Sequence, residues 1–315
     1  MGRVLVTRPL TEGGTDPLVE AGHEIVISPS ALPKPELVSM APEFDGIVSH
    51  LTDRVDAAVL GAGKGGMLRV VANAAVGYDN IDVGRANELG ITVCNTPGVL
   101  DDTTADLAFL LILAATRQST EAERDLREGR WKGWGFGDHL ARDVHGMTLG
   151  LVGFGRIGRA VAQRAVGFDM DVIHTTRHDT GLHGYVPTLS ELLERSDIVS
   201  LHVPLTESTR HLIGAAELAV MKPTAVLVNT ARGPVIDEDA LVDALEAGRL
   251  YAAGLDVFEG EPSVNPRLLS APRITLLPHI GSATIGTRTR MARLACQGVA
   301  DVLAGRTPPN AVTSS

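Results

Sequence analysis

Short apolar runs rich in β-branched residues alternate with helix-like stretches along the chain. The runs of the first hundred residues predict strands at Arg3 to Arg8, Glu24 to Ser28, Gly46 to His50, Arg69 to Ala74 and Thr92 to Asn95. A second series predicts strands at Thr148 to Phe154, Asp171 to Thr176, Asp197 to Val203, Ala225 to Ala231, Tyr251 to Val257 and Ile274 to Ile280. Strands that alternate with helices and are apolar nearly throughout are typical of parallel sheets covered on both faces. We therefore expect an α/β protein with two Rossmann-like domains, each built on a doubly wound parallel sheet.

Two long helical patterns lie outside this alternation. One runs from Asp101 to Trp131, beginning with the cap-type residues Asp-Asp-Thr-Thr and becoming highly charged toward Arg124. We expect it to form one helix that links domains or pairs subunits. The other follows Gly281, continues to about Ala304 and precedes a Pro-rich tail. This last helix could return to the first domain.

Composition and charge exclude several classes of protein. The chain has 315 residues, of which 44% are hydrophobic, so it can bury two cores. A net charge of −10 repels polyphosphate backbones, so we expect no nucleic-acid partner. The amino terminus enters a strand-like run directly and no apolar stretch is long enough to span a bilayer, so we expect a cytoplasmic protein without a membrane partner. Cys94 and Cys296 are not in metal-ligand spacing, and we expect reduced core cysteines and no metal site.

Two segments match the glycine pattern G-x-G-x-x-G, one from Gly61 to Gly66 and one from Gly153 to Gly158. A dinucleotide turn needs a strand before it and a helix after it, because the helix N-terminus attracts the pyrophosphate that glycines allow to approach. Gly61 follows a helix-like run and precedes a strand, so we interpret it as part of a flexible loop. The second segment satisfies both conditions. It predicts a dinucleotide site with contacts from Gly153, Gly155, Arg156, Ile157 and Gly158.

The residues after the next strand bear on which dinucleotide is bound. An acidic side chain at this point normally accepts hydrogen bonds from the ribose 2′-hydroxyl. Here the strand is followed by Thr176, Arg177 and His178. A missing carboxylate lifts the repulsion of a 2′-phosphate, and a guanidinium can bind that phosphate. We therefore expect NADP(H) to be preferred, with NAD(H) possible; a solvated Arg177 that leaves the choice open is the competing interpretation.

Three ionisable side chains, Arg232, Glu261 and His279, follow late strands. Hydride transfer to a 2-oxo acid needs a cation for the carboxylate, a proton donor for the carbonyl oxygen, and a group that keeps the donor protonated. Doubly wound sheets bind ligands at the carboxyl ends of their strands. Each residue alone is weak evidence, and their combination with the dinucleotide turn predicts the reaction.

With these residues, the chain resembles the D-isomer-specific 2-hydroxyacid dehydrogenase family, and within it the glyoxylate/hydroxypyruvate reductases. The resemblance covers almost the whole chain and rests on residues 75–79, 95–98, 103–106, 153–158, 229–233, 254–258 and 278–282. It implies that Arg232 binds the substrate carboxylate and polarises the carbonyl, that His279 is the general acid, and that Glu261 pairs with His279 and favours its protonated form.

The resemblance also implies further contacts. Val76 and Gly77 would offer backbone N–H groups to the substrate carboxylate, with Leu51 and Ser282 as additional substrate contacts. Trp134 would reach the active site of the neighbouring subunit, although an aromatic residue in the core of a subunit interface is an equal interpretation. The cofactor would be lined by Thr104, Pro204, Thr230, Asp256 and Gly281.

The same resemblance implies a particular division of the chain. Residues 1–98 and 285–315 would form a discontinuous, flavodoxin-like substrate-binding domain, and residues 99–284 an NAD(P)-binding Rossmann domain. The protein would be a homodimer, with most of the contact supplied by the stretch after Asp101.

Substrate size depends on the loops at 50–53 and 73–75, which lack Arg and Lys. A phosphorylated substrate would need a cation there, which disfavours phosphoglycerate. Formate dehydrogenases of the superfamily carry Gln where Glu261 stands, so Glu261 favours the 2-hydroxyacid branch. We expect a small unphosphorylated 2-oxo acid, such as glyoxylate or hydroxypyruvate, to receive hydride from nicotinamide C4 and become the D-2-hydroxy acid. A phosphoglycerate dehydrogenase-type enzyme and a dinucleotide-sensing, co-repressor-like interaction protein remain alternatives.

Overall fold

The computed structural model describes residues 1–312, so the end of the Pro-rich tail lies outside the described residues. Within this range eleven strands form: β1 Arg3–Val6, β2 Glu24–Ile27, β3 Gly46–Ser49, β4 Val70–Asn73, β5 Thr92–Cys94, β6 Thr148–Val152, β7 Asp171–Thr175, β8 Ile198–Leu201, β9 Val226–Asn229, β10 Ala252–Leu255 and β11 Ile274–Leu276. The same range contains twelve α-helices: α1 Asp16–Glu20, α2 Lys34–Met40, α3 Ala57–Lys64, α4 Val83–Glu88, α5 Asp101–Thr116, α6 Ser119–Arg127, α7 Arg156–Ala165, α8 Leu189–Arg195, α9 Ala215–Val220, α10 Glu238–Glu246, α11 Pro266–Ser270 and α12 Ile285–Leu303.

The chain divides into two compact units. Met1–Leu100 with Ser282–Ser315 form the first unit, and Asp101–Gly281 form the second. The chain therefore passes between the units after residues 100 and 281, where the sequence predicted 98 and 284.

The first unit is built on five parallel strands in the order β2-β1-β3-β4-β5. This is the flavodoxin-like strand order. Every residue of β3 and β4 is buried, because helices cover both faces of the sheet. One of these helices is α12, which buries Met291, Cys296 and Val299, the last two against the apolar face of the sheet.

The second unit is built on six parallel strands in the order β11-β10-β9-β8-β6-β7. His174 of β7 also forms an isolated parallel bridge with Tyr185 at the outer edge of the sheet. From β6 the chain proceeds in two directions, as in the Rossmann fold: β7 and the bridge at Tyr185 lie on one side of β6, and β8 to β11 follow in order on the other. The reversal lies between β6 and β8, and ligands bind such sheets at the carboxyl ends of the strands beside the reversal. The predicted fold class is confirmed.

All eleven predicted strands are present, and each ends earlier than the sequence predicted. The last one shows the reason most clearly, because β11 ends at Leu276 and the prediction ran to Ile280. Pro278 has no N–H for the ladder, and His279 is in the left-handed region with φ +54°. Apolar character thus continues past the point at which the backbone leaves the sheet.

The single helix predicted from Asp101 to Trp131 is wrong. The chain forms α5 and α6, separated by Gln118 with φ +50°, which a right-handed helix cannot include. The first of these helices buries eight residues, whereas the second buries none, so α5 lies in the core and α6 lies at the surface. Among residues 1–312, neither of these helices nor any other is long and apolar enough to cross a membrane.

The flexible loop predicted at Gly61 is also wrong, because Gly61 lies inside α3. The Asp56 side chain caps this helix by accepting a hydrogen bond from the Ala58 N–H at 3.1 Å. Val59 and Leu60 are buried and hold the helix against the core. Packing therefore outweighs the cost of about 1 kcal/mol for each helical glycine. The order of a helix before a strand still excludes a dinucleotide turn at this segment.

Both cysteines lie in the core of the first unit. Cys94 is on β5 and Cys296 is on α12, each is fully buried, and neither forms a disulfide. Burial raises the pKa of both thiols to about 12. The thiolate is the reactive form, so these cysteines serve packing rather than chemistry. In the described part of the chain, no group of three or more His, Cys, Asp or Glu side chains could hold a metal ion.

Candidate active site

The second glycine segment forms a tight turn between β6 and α7. Gly153 has φ +96°, and a Cβ atom at this position would lie 2.7 Å from the His202 carbonyl oxygen. A Cβ atom on Gly158 would lie 2.4 Å from the Gly153 carbonyl oxygen. Only glycine fits at these two points, and the turn leads directly into the N-terminus of α7 at Arg156. This cradle fits the pyrophosphate of a dinucleotide.

The segment that follows β7 is exposed at the same end of the sheet. The Thr176 hydroxyl donates a hydrogen bond to the His178 carbonyl oxygen at 2.5 Å, which folds the segment back on itself. Arg177 and His178 are exposed. No carboxylate of residues 1–312 forms an ion pair with Arg177. Its guanidinium is therefore available to an anionic ligand.

Three of the predicted cofactor residues, Thr104, Asp256 and Gly281, lie together in the second unit. A Cβ atom on Gly281 would lie 3.1 Å from Asp256 Oδ2 and 3.5 Å from Thr104 Cγ2. Asp256 accepts hydrogen bonds from the N–H groups of Ile280 and Gly281, both at 2.8 Å. Burial raises the pKa of Asp256, although these two hydrogen bonds oppose that effect.

Two other predicted cofactor residues follow the neighbouring strands. Pro204 comes three residues after β8, and Thr230 comes directly after β9. The Thr230 Oγ1 atom is buried and has no hydrogen-bond partner among the described residues. A buried hydroxyl without a partner is unfavourable in the protein alone and fits a site that a polar ligand completes.

Glu261 and His279 form a direct hydrogen bond, with 2.7 Å between Glu261 Oε2 and His279 Nδ1. The other carboxylate oxygen, Oε1, accepts from the Phe258 N–H at 2.9 Å. A carboxylate can only accept, so Nδ1 carries the proton of this bond and Nε2 is left to face a ligand. Burial opposes ionisation of Glu261, yet the hydrogen bond and charge of His279 hold the pKa of Glu261 below its ordinary value.

Arg232 lies in the loop after β9 and is half-buried. Asn229 shapes this loop, because its Nδ2 donates to the Arg232 carbonyl oxygen at 2.8 Å and its Oδ1 accepts from the Ala231 N–H at 2.9 Å. The guanidinium charge also helps to lower the pKa of Glu261. The structure thus brings all three predicted catalytic residues to the carboxyl ends of β9, β10 and β11.

His279 is held in an unfavourable backbone conformation. Its φ of +54° lies in the left-handed region, which costs a residue with a Cβ atom about 1–2 kcal/mol. A hydrogen bond to a charged group contributes about 1.5–3 kcal/mol. The bond to Glu261 and the two bonds that Asp256 accepts from the next two residues therefore outweigh this strain.

The predicted substrate residues Leu51, Val76, Gly77 and Ser282 belong to the first unit. Asn95 Nδ2 donates to the Val76 carbonyl oxygen, and Asn73 Nδ2 donates to that of Gly77, both at 2.7 Å. No backbone carbonyl of residues 1–312 accepts from the N–H of Val76 or Gly77. Both N–H groups therefore remain available to a carboxylate.

Sequence reasoning missed these two asparagines, although each lies at the end of a strand. A second omission is Arg8, whose Nη2 donates to Asp53 Oδ1 at 2.6 Å and to Thr52 Oγ1 at 2.8 Å. The loop at 50–53 itself lacks Arg and Lys, but Arg8, which follows β1, reaches it from a distant part of the sequence. The buried Asp53 carboxylate balances this charge, and burial lowers the pKa of His50 to about 4, which keeps it neutral.

Trp134 lies in the irregular segment after α6 and is 83% exposed. It contacts Phe136 edge to face, with 6.3 Å between the ring centroids. Three other large apolar side chains of this segment and the end of α6 are also exposed, namely Leu126, Trp131 and Leu140. Such a concentration of exposed apolar side chains is typical of an interaction surface.

Known proteins are similar to this chain in both sequence and fold. The family model for the D-isomer specific 2-hydroxyacid dehydrogenase NAD binding domain matches residues 109–281. The glyoxylate reductase of Korarchaeum cryptofilum is 48% identical over 320 residues, covering 98% of this chain and 95% of the relative, and that of Thermococcus gammatolerans is 44% identical over 321 residues with the same coverage.

Two solved structures resemble the chain closely. The TT0316 protein of Thermus thermophilus has a TM-score of 0.93 at 45% identity, covering 99% of this chain and 100% of that one. The NADPH-dependent glyoxylate/hydroxypyruvate reductase of Sinorhizobium meliloti, solved with NADP and malonate, has a TM-score of 0.89 at 36% identity, with coverages of 99% and 96%.

The Rossmann sheet, the glycine turn and these matches define an oxidoreductase that uses a nicotinamide dinucleotide. The chain belongs to the D-isomer-specific 2-hydroxyacid dehydrogenase family.

Gly233→Ala should abolish reductase activity on 2-oxo acids. A Cβ atom at Gly233 would lie 1.9 Å from the Phe258 carbonyl carbon, so the methyl group must displace the backbone that carries Glu261. We expect kcat to fall at least about 100-fold, measured from the oxidation of NADPH. Gly167→Ala is the control, because a Cβ atom there meets nothing within 4 Å. Unchanged kcat in Gly233→Ala would contradict this reading of the site.

Proposed function

We propose that this enzyme reduces a small unphosphorylated 2-oxo acid, of the glyoxylate or hydroxypyruvate type, to the D-2-hydroxy acid, with NADPH as the preferred cofactor. The observation that carries the proposal is the 2.7 Å hydrogen bond between Glu261 and His279 beside Arg232. The glyoxylate reductases to which the chain is similar support the substrate class.

In this proposal, a bound nicotinamide dinucleotide supplies the hydride. Arg232 binds the substrate carboxylate and polarises the carbonyl group, since a guanidinium can form two parallel hydrogen bonds with a carboxylate. His279 donates a proton from Nε2 to the carbonyl oxygen as negative charge develops there. Glu261 orients the imidazole ring and stabilises its protonated form.

Further substrate contacts would come from residues that the family resemblance implies. The free N–H groups of Val76 and Gly77 would bind the carboxylate, and Leu51 and Ser282 would complete the site. A phosphoglycerate-type substrate is not favoured, because the charge of Arg8 is balanced by Asp53 and His50 is neutral. A sensor without catalysis is not favoured either, because the relatives to which the chain is similar over nearly its whole length are glyoxylate reductases.

The cofactor preference rests on the segment after β7. Thr176, Arg177 and His178 would surround the 2′-phosphate of NADPH, and the absence of an acidic side chain at these three positions favours that phosphate over a free hydroxyl. The glycine cradle, Thr104, Pro204, Thr230, Asp256 and Gly281 would hold the rest of the dinucleotide.

We also propose that the protein is a homodimer, and the exposed apolar side chains of the segment after α6 support this. In the dimer, Trp134 would enter the neighbouring active site and limit the size of the substrate. A cytoplasmic location stays a prediction from the sequence.

His279→Ala should remove catalysis and leave cofactor binding intact, because the imidazole acts on the substrate carbonyl. We expect kcat with glyoxylate to fall at least about 100-fold, while the Kd for NADPH, measured by fluorescence, changes less than about threefold. His145→Ala, at an exposed histidine of the same unit, is the matched control. Substantial residual turnover in His279→Ala would remove His279 from the role of proton donor.

Arg177→Glu should reverse the cofactor preference, because it replaces an attraction for the 2′-phosphate by a repulsion. We expect the wild type to have the higher kcat/KM with NADPH, and the variant to lose at least about tenfold with NADPH while keeping its rate with NADH. Arg249→Glu makes the same charge change at another exposed position. Equal or reversed kcat/KM values for the two cofactors in the wild type would contradict the proposal.

Light scattering should give twice the chain mass of 33.2 kDa. Trp134→Ala should raise the KM for hydroxypyruvate several-fold, whereas Leu269→Ala, at an exposed apolar side chain outside this segment, should not. A monomer with full activity would argue against any contribution of Trp134 to a neighbouring site.

A further inference from the structure

Glu238 is a buried carboxylate close to the active site that the mechanism above does not use. It is the first residue of α10 and is 6% exposed. Its Oε1 atom accepts a hydrogen bond from the backbone N–H of Glu259 at 2.7 Å. A carboxylate is costly to bury unless it is hydrogen-bonded, so this contact restrains both partners.

The N–H group that Glu238 binds belongs to the segment 258–261, which connects the three catalytic residues. At one end, Phe258 donates to Glu261, which in turn binds His279. The Phe258–Glu259 peptide also packs closely against Gly233. A Cβ atom on Gly233 would lie 2.3 Å from the Glu259 backbone nitrogen. The position of this peptide therefore sets the distance between the loop of Arg232 and the Glu261 carboxylate.

The other contacts of Glu259 hold the segment less firmly. Its side chain is 36% exposed and binds Arg210 at 3.0 Å and His211 at 3.1 Å. Exposed ion pairs are screened by solvent and restrain geometry weakly. The bond from Glu238 is buried and reaches the backbone itself, which makes it the stronger restraint on the segment.

We propose that Glu238 is a positioning residue: it holds the Glu259 backbone and, through the segment 258–261, keeps Glu261 in hydrogen-bonding distance of His279. This inference rests on the proposed function, because it assigns Glu238 a role through Glu261. The proposed role requires the Glu238 Oε1 atom as a hydrogen-bond acceptor and does not require the negative charge of the carboxylate.

The acceptor can be separated from the charge by substitution. Glu238→Gln keeps an oxygen in the same place, and the raised pKa of Glu238, caused first by burial, indicates that a neutral group is tolerated there. Glu238→Asp keeps the carboxylate and withdraws it by one methylene group. We therefore expect Glu238→Gln to keep wild-type kcat within about threefold, and Glu238→Asp and Glu238→Ala to lose about 10- to 100-fold.

A matched control separates positioning from stability. Glu217, in the first turn of α9, also accepts a hydrogen bond from a backbone N–H, but this one belongs to Gly214, the N-cap residue of the same helix, at 3.0 Å. Glu217→Ala should lower Tm without changing kcat. In Glu238→Asp and Glu238→Ala we expect kcat with glyoxylate to fall while the Kd for NADPH stays within about twofold.

A double-mutant cycle then tests whether Glu238 acts through Glu261. If it does, Glu238→Ala should reduce kcat in the wild type and have little further effect in Glu261→Gln. The same fold-loss in both backgrounds, wild-type kcat in Glu238→Asp and Glu238→Ala, or a loss in Glu238→Gln equal to that in Glu238→Ala would each overturn the inference. Full turnover of Glu261→Gln would instead reject the proposed mechanism, and the role of Glu238 with it.

Discussion

The hydrogen bond between Glu261 and His279 is the interaction on which the proposed chemistry depends. It selects the proton position on the imidazole, leaves Nε2 to act on a substrate, and keeps Glu261 ionised in spite of burial. Its geometry is set by backbone restraints at both ends. Phe258 binds Glu261, and Asp256 binds the two N–H groups that follow His279. The loop that carries the left-handed His279 is therefore held on both sides, by the buried carboxylate of Asp256 and by the carboxylate of Glu261.

The parallel sheet explains how residues far apart in sequence reach one another. The strands β9, β10 and β11 are neighbours in the sheet and point the same way, so the loops after them meet at one edge. Arg232, Glu261 and His279 each come from one of these loops. The glycine turn follows β6, beside the point between β6 and β8 where the strand order reverses, and this class of fold binds dinucleotides there. The proposed hydride transfer therefore takes place at the carboxyl ends of the strands, where the parallel topology brings these loops and the glycine turn to one edge of the sheet.

Much of this arrangement could be predicted from the sequence, because buried parallel strands are apolar throughout and the glycine turn requires a strand before it. What could not be predicted depends on long-range packing. The break at Gln118 and the helical state of Gly61 follow from which side chains are buried, and local propensity does not contain that information. Arg8 was missed because its partner Asp53 lies 45 residues away in the sequence. Glu238 was missed because a buried contact between a side chain and a distant backbone N–H cannot be recognised from the pattern of hydrophobic and polar residues. Asn73 and Asn95 lie at predicted strand ends, where the ligand-binding edge of the sheet could have indicated them.

In the proposed mechanism, one site combines a nicotinamide dinucleotide, an arginine that binds the substrate carboxylate, and a proton donor fixed in position for a small 2-oxo acid. The most direct measurement is the initial rate of oxidation of NADPH and NADH by the wild-type protein over a panel of 2-oxo acids, including glyoxylate, hydroxypyruvate and phosphohydroxypyruvate. We expect the highest kcat/KM with glyoxylate or hydroxypyruvate and NADPH, and poor turnover of the phosphorylated acid. Binding of the dinucleotide without turnover of any 2-oxo acid would contradict the proposed mechanism.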